Sequence, residues 1–366
     1  MQDSGHILVI NLGSTSTKLG VFQFQLTDNS LSLVEEVVLD HSTSALPQGP
    51  VLNQLEFRLK AVRNFIASTH LVPDIIMARG APLQPMIGGI YAVNKEMLED
   101  IRLARYADHA SNLAALIGAK IGAERDLPVY ISDPITLDEF EPLARISGVP
   151  GIERKSRSHA LNIKAVTRKV CSAQNKSFSS SNWVVCHMGG GISVAALKNG
   201  RIIDVNDALL GMGPFGPERA GALPISALLS LAYSGEYNQA ELATLLSRKS
   251  GLVAYLGTAD LREVEHRIEN GDDQAELIFQ AMAYQIAKEI ASMASVLFFN
   301  LNGIVLTGGM AHSDRLCSEI TRRIQKIASI YIEPGEYELE ALAQAGLRVL
   351  SGKETVRNYC SEKPHG

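Results

Sequence analysis

Two short stretches of this chain have the composition of anion-gripping turns. Asn11-Leu12-Gly13-Ser14-Thr15-Ser16-Thr17-Lys18 ends the apolar run that begins at Ile7, and His187-Met188-Gly189-Gly190-Gly191-Ile192-Ser193 ends the run that begins at Trp183. Glycine lets a backbone approach a ligand closely and adopt positive φ, so such a tip can offer main-chain N–H groups to an anion. Short hydroxyls, exposed amides and one cation suit phosphoryl transfer, which depends on positioning and charge neutralisation. The first tip is not the GxxxxGK[ST] phosphate loop, because its glycine spacing differs and a strand follows it. Taken singly, it also reads as a hydrophilic β-turn. Three successive glycines at 189–191 are a poor choice for plain structure, although a β-bulge or sheet corner accommodates them. The same strand–turn–strand pattern half a chain apart points to a duplicated domain that handles nucleotides.

Two arginines stand at positions where a ligand anion would be met. Arg79 closes an apolar run and opens the Pro- and Gly-rich loop 81–89, and Arg219 lies in GMGPFGPERAGALP (211–224), which has no periodicity. A guanidinium presents a planar fork that matches a carboxylate or phosphate at two points. Either arginine also fits a surface salt bridge. Thr307-Gly308-Gly309 after an apolar strand suits close approach of a base and ribose. Asp260 and Arg262, after Gly257-Thr258, are weaker candidates, since exposed loop charges are usually solvated. Asp133 at a strand end and His159 at a helix start could bind a metal or stabilise charge. Asp133 reads equally as a turn residue or N-cap, and His187 as a satisfied core histidine.

The elements that must position these residues follow from periodicity and turn chemistry. The opening hairpin leads to a third strand at 31–39, a helix at 48–68, a buried strand at 73–78, a polar segment, a helix at 110–123 and a strand at 127–132. This alternation predicts an α/β domain with its site at strand carboxyl ends. Residues 144–157, rich in Gly, Pro and charge, read as the boundary between a first domain (1–150) and a second (151–337). The second begins with a helix at 158–171 and a serine-rich turn at 177–182 before its hairpin. It continues with a long helix at 275–300 and a strand at 304–307. The helix at 337–350 is expected to pack back on the first domain, so that 338–366 returns to it, and the last fifteen residues read as a polar, frayed tail.

Bulk properties narrow the class. The chain has 366 residues, enough for two domains, and is 46% hydrophobic and 20% charged. A net charge of -5 gives no electrostatic reason to expect nucleic acid or an anionic membrane as partner. Four scattered cysteines without a CxxC pair signal neither zinc nor a disulfide framework. The opening MQDSGH lacks the basic and apolar regions of a signal peptide, and no window has the length of a membrane span. The expectation is a cytoplasmic protein with reduced thiols.

INLGSTSTK (10–18), HMGGGIS (187–193), GPFGPERAG (213–221) and VLTGGMA (305–311) together resemble the acetate and butyrate kinase family, of the sugar kinase, actin and heat-shock chaperone superfamily. The likeness runs from Ile7 to about Gly352. It is closest to the butyrate kinase branch through the segments 79–94, 144–166, 204–221, 251–265 and 281–294. The resemblance implies two ribonuclease-H-like (actin-like ATPase) domains with a cleft between them. It implies ATP- and Mg²⁺-dependent, reversible phosphorylation of a short-chain carboxylate to its acyl phosphate, in a homo-oligomer. By motif, Asn11, Ser14, Ser16 and Lys18 would face the phosphates and metal, and Arg79 the substrate carboxylate. Asp133 would position Mg²⁺ or the reacting groups. His159, His187 and Arg219 would stabilise the phosphoryl group in transfer. Gly189, Gly190, Gly191, Gly308 and Gly309 would line the nucleotide, with Asp260 and Arg262 near the adenine. A C-terminal acidic metal ligand would be Glu338 or Glu340. The chain departs from the butyrate kinase pattern at Ala81, at Ile90 and in Ser193–Leu197, which lacks a histidine. The first two changes bear on acyl-chain preference. Two other readings stay open: an acetate, propionate or branched-chain acid kinase, and a non-catalytic ATP-dependent switch.

Overall fold

Ile7–Ile10 is a run of buried or nearly buried apolar side chains, the mark of a strand covered on both faces. In the computed structural model, which describes residues 3–41 and 46–361, this run lies in strand β1 (Ser4–Leu12). An antiparallel meander continues through β2 (Ser16–Gln25) and β3 (Ser30–Asp40). Strand β4 (Ile75–Arg79) adds to the other side of β1 in parallel. β5 (Ile90–Ala92) runs antiparallel to β6 (Val129–Ser132), which in turn is parallel to β4. The core strand order is β6-β4-β1-β2-β3, with β5 beyond β6.

The second sheet repeats that order. Strands β7 (Asn182–Met188), β8 (Ile192–Lys198) and β9 (Arg201–Val205) form the meander. β10 (Gly303–Gly308) and β11 (Ile330–Pro334) add in parallel beside β7, giving β11-β10-β7-β8-β9. The duplication expected from the two turns is therefore present strand for strand.

The chain divides into two compact units, Met1–Leu137 with Tyr337–Gly366, and Asp138–Glu336. In the first, the helix Asn112–Arg125 packs Leu113, Ile117 and Ile121 into a core with Ile76 and Ile131. The helix Glu338–Leu350 packs on the first sheet. A Cβ on its Gly346 would stand only 3.1 Å from side chains of Ile7 and Met77, so glycine there permits the close approach. In the second, the helix Asp273–Val296 buries Phe279, Met282, Ile286 and Ile290 against Val184, Cys186, Val194 and Ala196. Among the described residues no helix is long and apolar enough to cross a membrane.

Several expectations need correction. The passage between units falls at Leu137/Asp138, ahead of 144–157. That stretch belongs to the second unit, where Arg154 pairs with Asp204 at 2.8 Å. The segment read as one helix from 48 begins as a 3-10 turn, Val51–Gln54, and becomes α-helical at Leu55–Thr69. The segment read as polar holds β5 and the helix Lys95–Arg102, whose N-cap Asn94 accepts from the Met97 N–H. The tail is not frayed over its described part. β12 (Arg357–Asn358) pairs with β5, and the buried Tyr359 hydroxyl donates to Asp100 at 2.7 Å. Residues 362–366, the rest of that expected tail, lie outside the described residues.

Candidate functional site

Parallel strands place their carboxyl ends together, and there the first unit gathers its candidate residues. Asn11 is the penultimate residue of β1, Arg79 ends β4 and Asp133 follows β6. The register sets Ile10 beside Ala78 and Arg79 beside Ser132. Gly80 makes the last step possible, since a Cβ there would lie 2.6 Å from the Pro134 Cα. Asp133 is buried and held at a φ of 41°. Its Oδ1 accepts from the Gly89 N–H at 3.0 Å, and its own N–H donates to the Gly89 carbonyl.

Arg79, Asn11 and Glu338 form one cluster. Arg79 Nη1 donates to Asn11 Oδ1 and to Glu338 Oε2, both at 3.1 Å, and Asn11 Nδ2 donates to Glu338 Oε2 at 2.7 Å. Both Arg79 contacts run through Nη1, which leaves the Nε–Nη2 edge of the fork for a two-point contact. Glu338 opens its helix against Asn11, whereas Glu340 is exposed. Among the described residues no three His, Cys, Asp or Glu side chains stand close enough to cage a metal. One carboxylate with one amide oxygen is instead the hard-oxygen set that Mg²⁺ takes when substrate phosphates and water complete its shell. The residues present fit that ion.

The first turn lies in the same unit. The Gly13 N–H donates to the Ser16 carbonyl at 3.0 Å, Ser14 is exposed, Ser16 is half-buried, and Lys18 faces Asn11 across β1 and β2. Sequence reasoning passed over two neighbours. His109, with Nδ1 at 2.8 Å from the Ser111 hydroxyl, lies near enough to Arg79 to feel its charge. Burial first, then that guanidinium, holds its pKa below the usual histidine range. The other is Arg58, buried behind the turn.

In the second unit, His187 is the penultimate residue of β7, with Ser193 opposite on β8 and Thr307 opposite on β10. The His159 and His187 rings stack, 4.0 Å between centroids and 17° between planes. His159 Nδ1 lies 2.9 Å from the Ser193 hydroxyl, and His187 Nδ1 lies 2.8 Å from Asn162 Nδ2. Asn162, which the sequence reading did not single out, also reaches Thr307 Oγ1 at 3.4 Å. It lies one helical turn from His159, and that spacing was the available signal.

Arg219 lies against the glycine turn. A Cβ on Gly191 would fall 1.7 Å from Arg219 Nη1, while one on Gly189 would come 3.3 Å from His187 Nε2. Gly191 is therefore where the guanidinium rests. Arg219 Nη1 donates to the Ala208 carbonyl, and its buried Nε has no hydrogen-bond partner among the described residues. Burial, partly offset by Glu218 and Asp207, holds its pKa below the ordinary arginine range. Beside it opens a cavity of about 320 Å³ with apolar walls from Ile192, Leu209, Leu210, Met212 and Leu223, within the size range of small-molecule sites.

Gly308, the last residue of β10, and Gly309, the first of the 3-10 turn after it, differ from each other. Gly308 has a φ of 91°, and a Cβ there would strike the Met188 carbonyl at 2.4 Å, whereas a Cβ on Gly309 would meet nothing within 4 Å. Gly308 thus seats β10 against the second turn, and Gly309 leaves room for a ligand. Asp260 caps the helix Leu261–Glu269 by accepting from the Arg262 N–H. The two side chains pair at 2.7 Å, with Arg262 89% exposed. They stand as a solvated pair.

A family model described as the Acetokinase family matches residues 150–357, more than half of the chain. Among solved structures, an acetate kinase from Porphyromonas gingivalis matches with a TM-score of 0.74 at 19% identity, over 94% of this chain and 100% of that one. A propionate kinase from Francisella tularensis matches with a TM-score of 0.73 at 19% identity, over 93% and 98%. A ROK family protein from Streptococcus pneumoniae matches more distantly, with a TM-score of 0.53 at 12% identity, over 95% and 99%. At these identities the structures show the fold, which is the duplicated actin-like ATPase fold.

Proposed function

We propose, for a chain that belongs to the acetokinase family, that the acid it phosphorylates is a C3–C5 carboxylic acid, butyrate foremost. Family membership makes it an ATP-dependent kinase of short-chain carboxylates. The observation that carries the reading is the Arg79–Asn11–Glu338 cluster at the carboxyl ends of β1 and β4. It joins a cation with a free two-point edge to oxygens suited to a metal-bound phosphate.

In this reading Arg79 holds the acid's carboxylate and Asp133 fixes the strand ends around it. Asn11 and Glu338 hold Mg²⁺, with Ser14, Ser16 and Lys18 at the phosphates. Bound there, the ion would neutralise phosphate charge. One carboxylate oxygen attacks the γ-phosphorus of ATP, its bond to phosphorus forming as the bond to the ADP oxygen breaks, and no proton is consumed. Arg219, His159 and His187 meet the charge on the transferring group. The turn at 189–191 and Gly308-Gly309 line the nucleotide. Asp260 and Arg262, exposed and paired, would touch the adenine only by exchanging that pairing for the base.

Chain length is read from one stretch of the sequence. The segments around Arg79 and Tyr91 resemble the butyrate kinase branch, and Ala81 and Ile90, which depart from its pattern, lie in the same stretch. Trapping the product as acyl hydroxamate across C2 to C5 acids, straight and branched, tests this. Efficiency should rise from acetate to butyrate in graded steps, because a pocket discriminates each methylene by only about 1–3 kcal/mol. Equal or better efficiency with acetate would replace butyrate with acetate as the substrate.

A further inference from the structure

Arg58 lies on the apolar face of the helix Leu55–Thr69, with its side chain wholly buried. Every oxygen it meets is formally neutral. Its Nε donates to Gln54 Oε1 at 3.0 Å, its Nη1 to the Ser16 carbonyl at 2.8 Å and the Thr17 hydroxyl at 3.3 Å, and its Nη2 to the Ser14 carbonyl at 3.0 Å. Among the described residues no carboxylate pairs with it, and burial alone moves its pKa, downward. A buried charge is ordinarily paired, and arginine keeps its proton in proteins. The positive charge therefore stays directly behind the first turn.

The carbonyls of that turn from Ser14 to Ser16 are each held by a donor. Arg58 takes the Ser14 and Ser16 carbonyls, and the His41 N–H takes the Thr15 carbonyl at 2.7 Å. A trans peptide points its N–H opposite to its C=O. Holding the Ser14 carbonyl from the Arg58 side thus turns the Thr15 N–H the other way, on a tip where Ser14 and Thr15 are exposed. Anion-binding nests are built from such groups.

We infer that Arg58 is a positioning residue for the nucleotide's phosphates: it fixes the first turn from behind, and the phosphate anion on the turn's outer side supplies its missing countercharge. The assignment rests on reading that turn as a phosphate grip. Arg58→Lys keeps the charge but cannot span both carbonyls, and Gln54→Ala loosens Nε while leaving the guanidinium in place. Calorimetric titration of the full chain with ATP and with adenosine separates phosphate from base.

Arg58→Lys should weaken ATP by about tenfold or more, on the scale of one charge-assisted hydrogen bond. Adenosine affinity and KM for the acid should stay unchanged. Gln54→Ala should shift the ATP-to-adenosine ratio the same way, by about threefold, as the guanidinium keeps its contacts to the Ser14 and Ser16 carbonyls. A folded Arg58→Lys with an unaltered ratio would overturn the assignment. If that variant does not fold, an unaltered ratio in Gln54→Ala does so. Wild-type protein that binds ATP no better than adenosine would overturn it as well. Wild-type protein that binds ATP tightly but phosphorylates no acid would sink only the kinase reading.

Discussion

Replacing Arg219 with alanine is expected to lower kcat by roughly 10³ or more, the usual scale for a cation that neutralises a transferring phosphoryl group. KM for ATP should change little, because such a contact strengthens only as charge develops. The geometry gives the reason to expect it. The guanidinium is partly buried against Gly191, its Nε has no hydrogen-bond partner, and no carboxylate forms an ion pair with it among the described residues. An orphaned buried donor costs stability unless something else rewards it. Gly191→Ala supplies the companion test, since its Cβ would occupy the place of Nη1. The fold should survive, because the displaced atom ends a flexible side chain, and kcat should fall in the direction of Arg219→Ala. Near-normal kcat in both variants, with intact melting, would make Arg219 a structural residue.

Arg79→Leu is expected to raise KM for the acid by at least about 30-fold, because truncating one partner of a buried charge pair costs about 2–5 kcal/mol. KM for ATP should rise much less. Arg79 also contacts Asn11 and Glu338 through Nη1, so leucine removes one donor from the proposed metal-side oxygens. Arg79→Lys separates the two roles: one ammonium can keep the Glu338 contact but cannot offer a two-point edge. It should recover stability before it recovers KM for the acid. Comparable losses for both substrates in Arg79→Leu would assign the residue to the phosphates or the fold, and an unchanged KM for the acid would remove it from the site.

The duplicated architecture was legible because each half contains an apolar strand, a turn of distinctive composition and a second apolar strand. Those signals are local. Short strands were not legible. β5 and β12 have three and two residues, too few for periodicity, and they exist through distant pairing, β5 with β6 and β12 with β5. The choice between Glu338 and Glu340 turns on helix phase. Two residues are about 200° apart around a helix, so only the observed start of the helix sets Glu338 against Asn11 and leaves Glu340 exposed. Arg58 did leave a trace, a charged residue among Leu55, Leu59, Val62 and Phe65 on an apolar stripe. Its meaning needed the neutral partners that only the folded turn provides. The two histidines were legible as candidates, whereas their stacking depends on β7 and the start of the helix Ala160–Ala173 meeting in space.

The central claim is that the γ-phosphoryl group of ATP goes to a carboxylate rather than to water. Phosphorus NMR of the protein with ATP, Mg²⁺ and butyrate follows all the phosphorus species at once. An acyl phosphate resonance is expected to grow in step with ADP, dependent on butyrate, with inorganic phosphate appearing only as that product hydrolyses. ADP and inorganic phosphate released together from the start, at a rate indifferent to any C2 to C5 acid, would contradict it.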